Sequence, residues 1–123
     1  MASSRTIEIT VQNDTGVELS LTKDEVGPGK WLNEPNKNIG IGRSDRWKAG
    51  NKEWAWIGVA GKVTYQGGNA EFTIKFDHPI GWGKTTVDDN ATGEYDSKQE
   101  NVNLQQHHAT CTIMFYRPTQ TAE

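Results

Sequence analysis

Apolar residues at every second position are the feature of this 123-residue chain that most restricts its fold. The alternation is clearest in three segments, residues 6–13, 70–76 and 109–116. A period of two places the apolar side chains of a segment on one face, which is typical of a half-buried β-strand. No long segment has the spacing of three and four residues that an amphipathic helix needs. The pattern therefore predicts an all-β domain.

Turn signals between the alternating segments predict two hairpins. Residues 13–16 read Asn-Asp-Thr-Gly, in which Asn and Asp bond their own backbone and Gly accepts a positive φ. This turn predicts a hairpin between segments 6–13 and 17–23. Residues 67–69 read Gly-Gly-Asn, which predicts a second hairpin between the segments on either side.

Two regions interrupt the alternation. Residues 24–37 are rich in Gly and Pro and are interpreted as a loop that holds one short irregular strand. Residues 77–100 are interpreted as long loops around one short edge strand. Many short strands joined by Gly-rich turns favour a single antiparallel β-sandwich with Greek-key connections. We expect one domain over residues 1–123, with an ordered core over about 6–117.

Charge and cysteine content exclude several classes of function. The net charge is −3 and the isoelectric point is near 5.6, with Lys and Arg scattered along the chain. Nucleic acid is therefore not an expected partner, because phosphate binding needs a concentrated basic face. The single cysteine permits no intrachain disulfide and suits a reducing compartment. No signal peptide or apolar membrane span is recognised, so we expect synthesis in the cytoplasm, where the protein could collect in inclusions.

Five tryptophans are the most promising binding residues. Trp31 follows a Gly/Pro-rich stretch and Trp82 is flanked by glycines, so both are expected to be exposed on loops and to bind a ligand or membrane. Trp54 and Trp56 are two positions apart and are expected to be structural. Trp47 receives no assignment.

Neither catalysis nor metal binding is expected. Cys111 falls in the middle of a strand, without a partner base in the sequence pattern. The adjacent histidines His107 and His108 would point to opposite faces of a strand, which disfavours shared metal binding. Residues 88–96 partly match a calcium loop but lack its final Glu and its flanking helices. A small hydrolase, which would need Asp88 or His108, is the weakest of the functional hypotheses. We expect a protein that is not an enzyme and has no cofactor.

Several motifs, in order along most of the chain, resemble one protein family. They are Ile7–Gly16, Gly29-Lys30-Trp31, Gly58–Tyr65, Ala70–Pro79 and the final strand Ala109–Tyr116. Together they resemble the aegerolysins, and most closely the small aegerolysin-like component of binary Bacillus insecticidal crystal toxins. A further set is similar to the wider family, namely Asp77, Pro79, Gly81, Lys84 and Thr85.

The resemblance implies a β-sandwich that binds lipids, often in sphingolipid-containing membranes, and acts with a larger partner protein to form a pore or toxic complex. It implies that Trp31 and the loop Ile80–Lys84 lie at the lipid-facing end, with Lys30 as the basic residue before the first of these tryptophans. Lys84 would pair with a headgroup phosphate and Tyr95 would stack nearby. The resemblance leaves self-association open. The alternative function is a soluble glycan-binding lectin-like module, since sugars also stack on indole rings.

Overall fold

A computed structural model describes residues 3–53, 56–81 and 83–119. The described residues form ten β-strands. These are β1 (Thr6–Asp14), β2 (Leu19–Val26), β3 (Lys30–Asn33), β4 (Asn38–Ile39), β5 (Ser44–Gly50), β6 (Val59–Gly67), β7 (Ala70–His78), β8 (Thr86–Ala91), β9 (Asp96–Asn103) and β10 (His108–Tyr116). Within this part of the chain, no helix is long and apolar enough to cross a bilayer.

The strands form two five-stranded sheets packed as a sandwich, so the predicted all-β sandwich is confirmed. One sheet has the order β3-β5-β1-β10-β9 and the other has the order β4-β2-β6-β7-β8. Most neighbours are antiparallel. The exception is the central pair β1 and β10, which is parallel in the register Thr6 with His108 through Asp14 with Tyr116. A parallel pair from opposite ends of the chain leaves no local sequence signal.

The core lies between the sheets and is built from the alternating residues. Along β7, Phe72, Ile74 and Phe76 point inward, and the intervening residues are more exposed. The largest fully buried side chains are Trp47, Tyr65, Phe72 and Phe115. The faces predicted for the three clearest segments are confirmed.

One predicted hairpin is confirmed and the other is wrong. Gly68 and Asn69 form the two-residue turn between β6 and β7, with φ angles of 55° and 63°. Such positive values are what a hairpin turn of the primed type requires. The turn after β1 instead carries the chain across to the opposite sheet, where β2 pairs with β4 and β6. Alternation cannot distinguish a hairpin within one sheet from a crossing to the opposite sheet, because each strand buries one apolar face in both arrangements.

The region from 77 to 100 contains more regular structure than predicted. The loop interpretation is wrong for residues 86–91 and 96–100, because β8 and the first part of β9 lie there as edge strands of the two sheets. Their charged residues obscured the alternation. Gln99 joins the two edges, since its Nε2 donates to the carbonyl of Val87 at 2.6 Å and to the Asp89 carboxylate at 2.7 Å.

Candidate functional site

The strands of both sheets run between two ends of the sandwich. β1 and β10 start at one end, where Thr6 pairs with His108. β6 starts at the same end of the other sheet, where Val59 pairs with His78. The His78 ring reaches the backbone carbonyl of His107 at 2.8 Å and so joins the two sheets there.

We call this the loop end and the opposite one the turn end. The loop end consists of residues 3–5, 27–29, 51–53, 56–58, 79–81, 83–85 and 104–107. The turn end consists of residues 15–18, 40–43, 68–69 and 92–95.

Two large apolar side chains at the loop end are turned to solvent. Trp56 is 90% exposed and Ile57 is 57% exposed, and they are adjacent in the connection between β5 and β6. Gly58 follows them and packs directly on the backbone of His78 and Pro79, where any side chain would collide with the His78 carbonyl. The exposed pair therefore lies beside the connection between β7 and β8.

A small cleft of about 180 Å³ lies at the same end. Its lining includes Arg5, Thr85, Gln105, Gln106 and His107, with glycines at 81 and 83. The described lining residues include no carboxylate, and they offer guanidinium, amide and imidazole groups. Arg5 comes from the start of the chain and the others from two later connections, so no local sequence pattern could reveal the cleft. Its chemistry suits a small anionic or hydroxylated group.

His78 forms one wall of this cleft and is 3% exposed. Besides the His107 carbonyl, its ring contacts the Thr85 hydroxyl, at 2.5 Å from Nδ1. Burial lowers the pKa of His78 below its ordinary value of 6.5; the hydrogen bond to the His107 carbonyl opposes this, and the positive charge of Arg5 adds to it. The alternation of β7 places this residue inward, so its burial could have been predicted.

Three of the predicted site residues lie at the loop end. Ile80 is half-buried and Lys84 is exposed, both in the connection between β7 and β8. Lys30 begins β3, and its Nζ lies 4.0 Å from a carboxylate oxygen of Glu53. The structure thus brings Ile80, Lys84 and Lys30 to one end, together with Trp56.

Two predicted placements are wrong. Tyr95 lies at the turn end, where it is 8% exposed and its ring packs 5.2 Å from that of Phe72. It cannot stack near Lys84. Trp31 lies on β3 and is half-buried. The centre of its ring is 5.5 Å from that of Trp47, and its indole N–H donates to a backbone carbonyl. It packs against the core rather than standing exposed on a loop, because β3 pairs with β5 as the edge strand of its sheet.

The other tryptophans also differ from expectation. Trp56 was expected to be structural and is the most exposed large apolar residue of the described chain. A short apolar run such as Trp54-Ala55-Trp56-Ile57 is equally typical of a buried strand, so the sequence carried no signal of this exposure. Trp47, which received no assignment, is fully buried. Trp54 and Trp82 lie outside the described residues, so their roles stay predictions.

The described residues contain no group of three or more His, Cys, Asp or Glu side chains placed to hold a metal ion. The segment considered as a calcium loop begins on strand β8, where Asp88 and Asp89 point to opposite sides.

Cys111 is buried on β10, and burial raises the pKa of its thiol to about 11. Because the thiolate is the reactive form, we expect alkylation by iodoacetamide at about pH 8 to be at least a hundredfold slower than for an exposed cysteine. Mass spectrometry after timed alkylation measures this rate, with the urea-unfolded protein as the control. Equal rates in the folded and unfolded protein would contradict the buried position.

Neither a protein-family profile nor a curated protein sequence matches the chain. Solved structures do match. RahU, crystallised in complex with a TRIS molecule, is 18% identical with a TM-score of 0.83, over 98% of this chain and 100% of its own. The lipid binding protein Nakanori is 15% identical with a TM-score of 0.85, and the match covers 94% of this chain and 73% of the Nakanori chain. IP-1A from Alcaligenes faecalis is 15% identical with a TM-score of 0.77, and the match covers 96% of this chain and 94% of the IP-1A chain.

At these identities the likeness establishes the fold alone. The β-sandwich is of the aegerolysin-like type, as the resemblance implied.

Proposed function

We propose that this protein is a membrane-binding domain of the aegerolysin kind, which binds lipid through its loop end and performs no catalysis. The observation that carries the proposal is the pair Trp56 and Ile57, two large apolar side chains held in solvent by one connection. Exposed apolar groups of this size cost free energy in water and are typical of surfaces that meet a partner or a lipid. Tryptophan in particular favours the boundary between water and hydrocarbon.

The polar groups around the exposed pair favour a lipid surface as the partner. Lys52 and Lys84 are exposed at the same end, and Arg5 lines the cleft. Side chains of this kind donate to headgroup phosphates while apolar neighbours enter the interface. Nakanori, which has the same fold, is described as a lipid binding protein, and the RahU structure holds a small polar molecule.

Transfer of the exposed pair to an interface would contribute roughly 3–5 kcal/mol, using about 25 cal/mol for each Å² of apolar surface removed from water. This is enough to hold a small domain at a membrane only with help from the polar contacts. We therefore expect binding to depend on the headgroup, with Lys84 and Arg5 as the contacts that select it.

The matched pair Ile57→Ser and Ile41→Ser tests this function. Both isoleucines are exposed, at 57% and 63%, but Ile41 lies at the turn end. Loss of one apolar side chain from the interface should weaken sedimentation with vesicles of phosphatidylcholine, sphingomyelin and cholesterol by about tenfold for Ile57→Ser. Ile41→Ser should bind as the wild type does. Trp56→Ala should weaken binding at least as much as Ile57→Ser.

Equal binding by both isoleucine variants would contradict the loop end as the membrane surface. Hits on a glycan array, without binding to any vesicle, would favour the lectin-like alternative. The lipid panel should vary sphingolipid, sterol and phospholipid separately, so that it identifies the headgroup that the loop end binds.

The finer role that we propose is that of the small component of an insecticidal binary toxin, which is made in the cytoplasm and acts on host-cell membranes with a larger partner protein. The resemblance of the motifs supports this role. We expect the domain alone to bind vesicles without releasing an entrapped dye, and release to require the partner. A neighbouring gene for a larger toxin protein would supply the partner to test, and rapid release by this chain alone would contradict a two-component mechanism.

A further inference from the structure

His78 bonds two separate connections of the loop end, one through each ring nitrogen. Nε2 lies 2.8 Å from the carbonyl of His107, and Nδ1 lies 2.5 Å from the hydroxyl of Thr85. Both partners are themselves held in place. The His107 carbonyl also accepts from the backbone N–H of Thr6 at 3.0 Å, and the Thr85 carbonyl accepts from the Gln105 amide at 3.1 Å. The ring is thus the centre of a network that fastens the β7–β8 connection to the opposite sheet.

The two bonds fix the hydrogen on one nitrogen. A carbonyl oxygen can only accept, so Nε2 must carry the hydrogen that is donated to His107. In the neutral ring Nδ1 is then an acceptor, and the Thr85 hydroxyl donates to it. The arrangement therefore needs the neutral ring in its Nε2–H form.

Protonation changes the bond to Thr85. A second hydrogen on Nδ1 would face the hydroxyl hydrogen of Thr85, which must then turn away inside a site where this residue is 6% exposed. A buried hydroxyl without an acceptor costs free energy comparable to a lost hydrogen bond. Protonation also places a charge on a ring that is 3% exposed. Both effects disfavour the arrangement in which the His78 ring bonds both His107 and Thr85, which we call the closed form.

The charged groups that act on His78 from the surrounding elements are Arg5 at the start of the chain, His107 in the β9–β10 connection, and His108 on β10. From β6, the paired residue Val59 is apolar. Each of the three neighbours is cationic or becomes so on protonation, and none would compensate a charged ring. Burial first, and then these neighbours, lower the pKa of His78 against the opposing effect of the His107 carbonyl.

An unfolded or released histidine takes up a proton more readily than the closed ring, so the closed form is favoured fully above about pH 6.5 and is lost as the pH falls through the pKa of the closed form.

We propose that His78 is a pH-sensitive latch, which holds the β7–β8 connection closed while neutral and releases it on protonation. Release would let Ile80, which is half-buried in the closed form, reach a membrane beside the exposed Lys84, a consequence that rests on the membrane role proposed above. If only the released form engages fully, apparent affinity for vesicles rises with its population. The domain would then bind more tightly in an acidified compartment or medium.

Hydrogen exchange without membranes tests the latch itself. Loss of one buried hydrogen bond should lower the protection factors of residues 80–81 and 83–85 by about tenfold between about pH 8 and about pH 5. Nitrogen NMR of the three histidines should show the Nε2–H form of His78 at the higher pH and its protonation over the range where protection falls. Binding to the phosphatidylcholine, sphingomyelin and cholesterol vesicles should rise by up to about tenfold over the same range.

Three variants separate the latch from a general effect of acid. His78→Gln keeps a donor for the His107 carbonyl but does not titrate, so its protection should not depend on pH. Thr85→Val keeps the volume of the side chain and removes the hydroxyl, so the connection should be open at both pH values. His107→Gln keeps the backbone carbonyl and should open as the wild type does.

Protonation of His78 without loss of protection would overturn the latch, as would an unchanged pH response in Thr85→Val. If His78→Gln folds and still opens with acid, the latch is also wrong. Opening with acid in a wild-type protein that binds no vesicle at any pH would support the latch and contradict the membrane function.

Discussion

Asn13→Ala should lower the free energy of unfolding by about 4 kcal/mol, because it leaves several buried polar groups without partners. Asn13 is fully buried at the end of β1, where the chain crosses from one sheet to the other. Its Nδ2 donates to the carbonyls of Val17, Ile39 and Gly40 at 2.8, 3.0 and 3.2 Å. Its Oδ1 accepts from the backbone N–H and the hydroxyl of Thr15. One side chain thus hydrogen-bonds both the turn that was mistaken for a hairpin and the link between β4 and β5.

Asn90→Ala is the matched control. Asn90 stands in an Asn-Ala-Thr sequence as Asn13 stands in Asn-Asp-Thr, but it is exposed on the edge strand β8. Its replacement should change stability by less than about 0.5 kcal/mol. Urea unfolding followed by circular dichroism measures both values. A cost below about 1 kcal/mol for Asn13→Ala would show that water or a shifted backbone replaces its bonds.

Trp47→Ala should have an effect of similar size, about 4 kcal/mol or roughly 15 °C in the melting temperature. Trp47 is fully buried, with its ring 5.5 Å from that of Trp31 and 5.6 Å from that of Phe76. Its indole N–H donates to the Tyr65 hydroxyl at 3.1 Å. Truncation would leave a large cavity between the sheets and remove the partner of that hydroxyl.

Tyr65→Phe separates the hydrogen bond from the packing. It leaves the indole N–H of Trp47 buried without an acceptor and should cost about 1–3 kcal/mol. The pKa of Tyr65 is raised above the ordinary range, chiefly by burial, so the hydroxyl stays neutral throughout the stable range of pH. Trp56→Ala, the same type of change at an exposed position, should leave the melting temperature within about 2 °C of the wild type. A comparable loss in Trp56→Ala would contradict its exposed placement.

Much of the fold was predictable because the core residues occupy every second position of the strands. Ile7, Ile9 and Val11 face inward as their spacing indicates, and the Gly68-Asn69 turn closes its hairpin. The pairing partners were less predictable. The alternation of β1 and β2 is the same whether they lie side by side or face each other across the core, and the parallel pairing of β1 with β10 depends on contacts about a hundred residues apart.

The candidate site shows the same division. Ile80 and Lys84 lie in one connection, as their motif implied, whereas Tyr95 lies at the opposite end of the sandwich because the course of β8 and β9 was not recognised. Exposure was the harder property to predict. Trp31 is half-buried by packing against Trp47 on the neighbouring strand β5, and Trp56 is exposed in the connection between β5 and β6.

Hydrogen exchange of the domain bound to vesicles tests the central claim, that the loop end meets the membrane. The protein is compared with and without vesicles of phosphatidylcholine, sphingomyelin and cholesterol, at about pH 8 where the His78 ring is neutral. We expect new protection in residues 51–53 and 56–58 and unchanged exchange in the turn-end residues 15–18 and 92–95. Protection at the turn end instead, or along the outer face of one sheet, would contradict the proposed orientation.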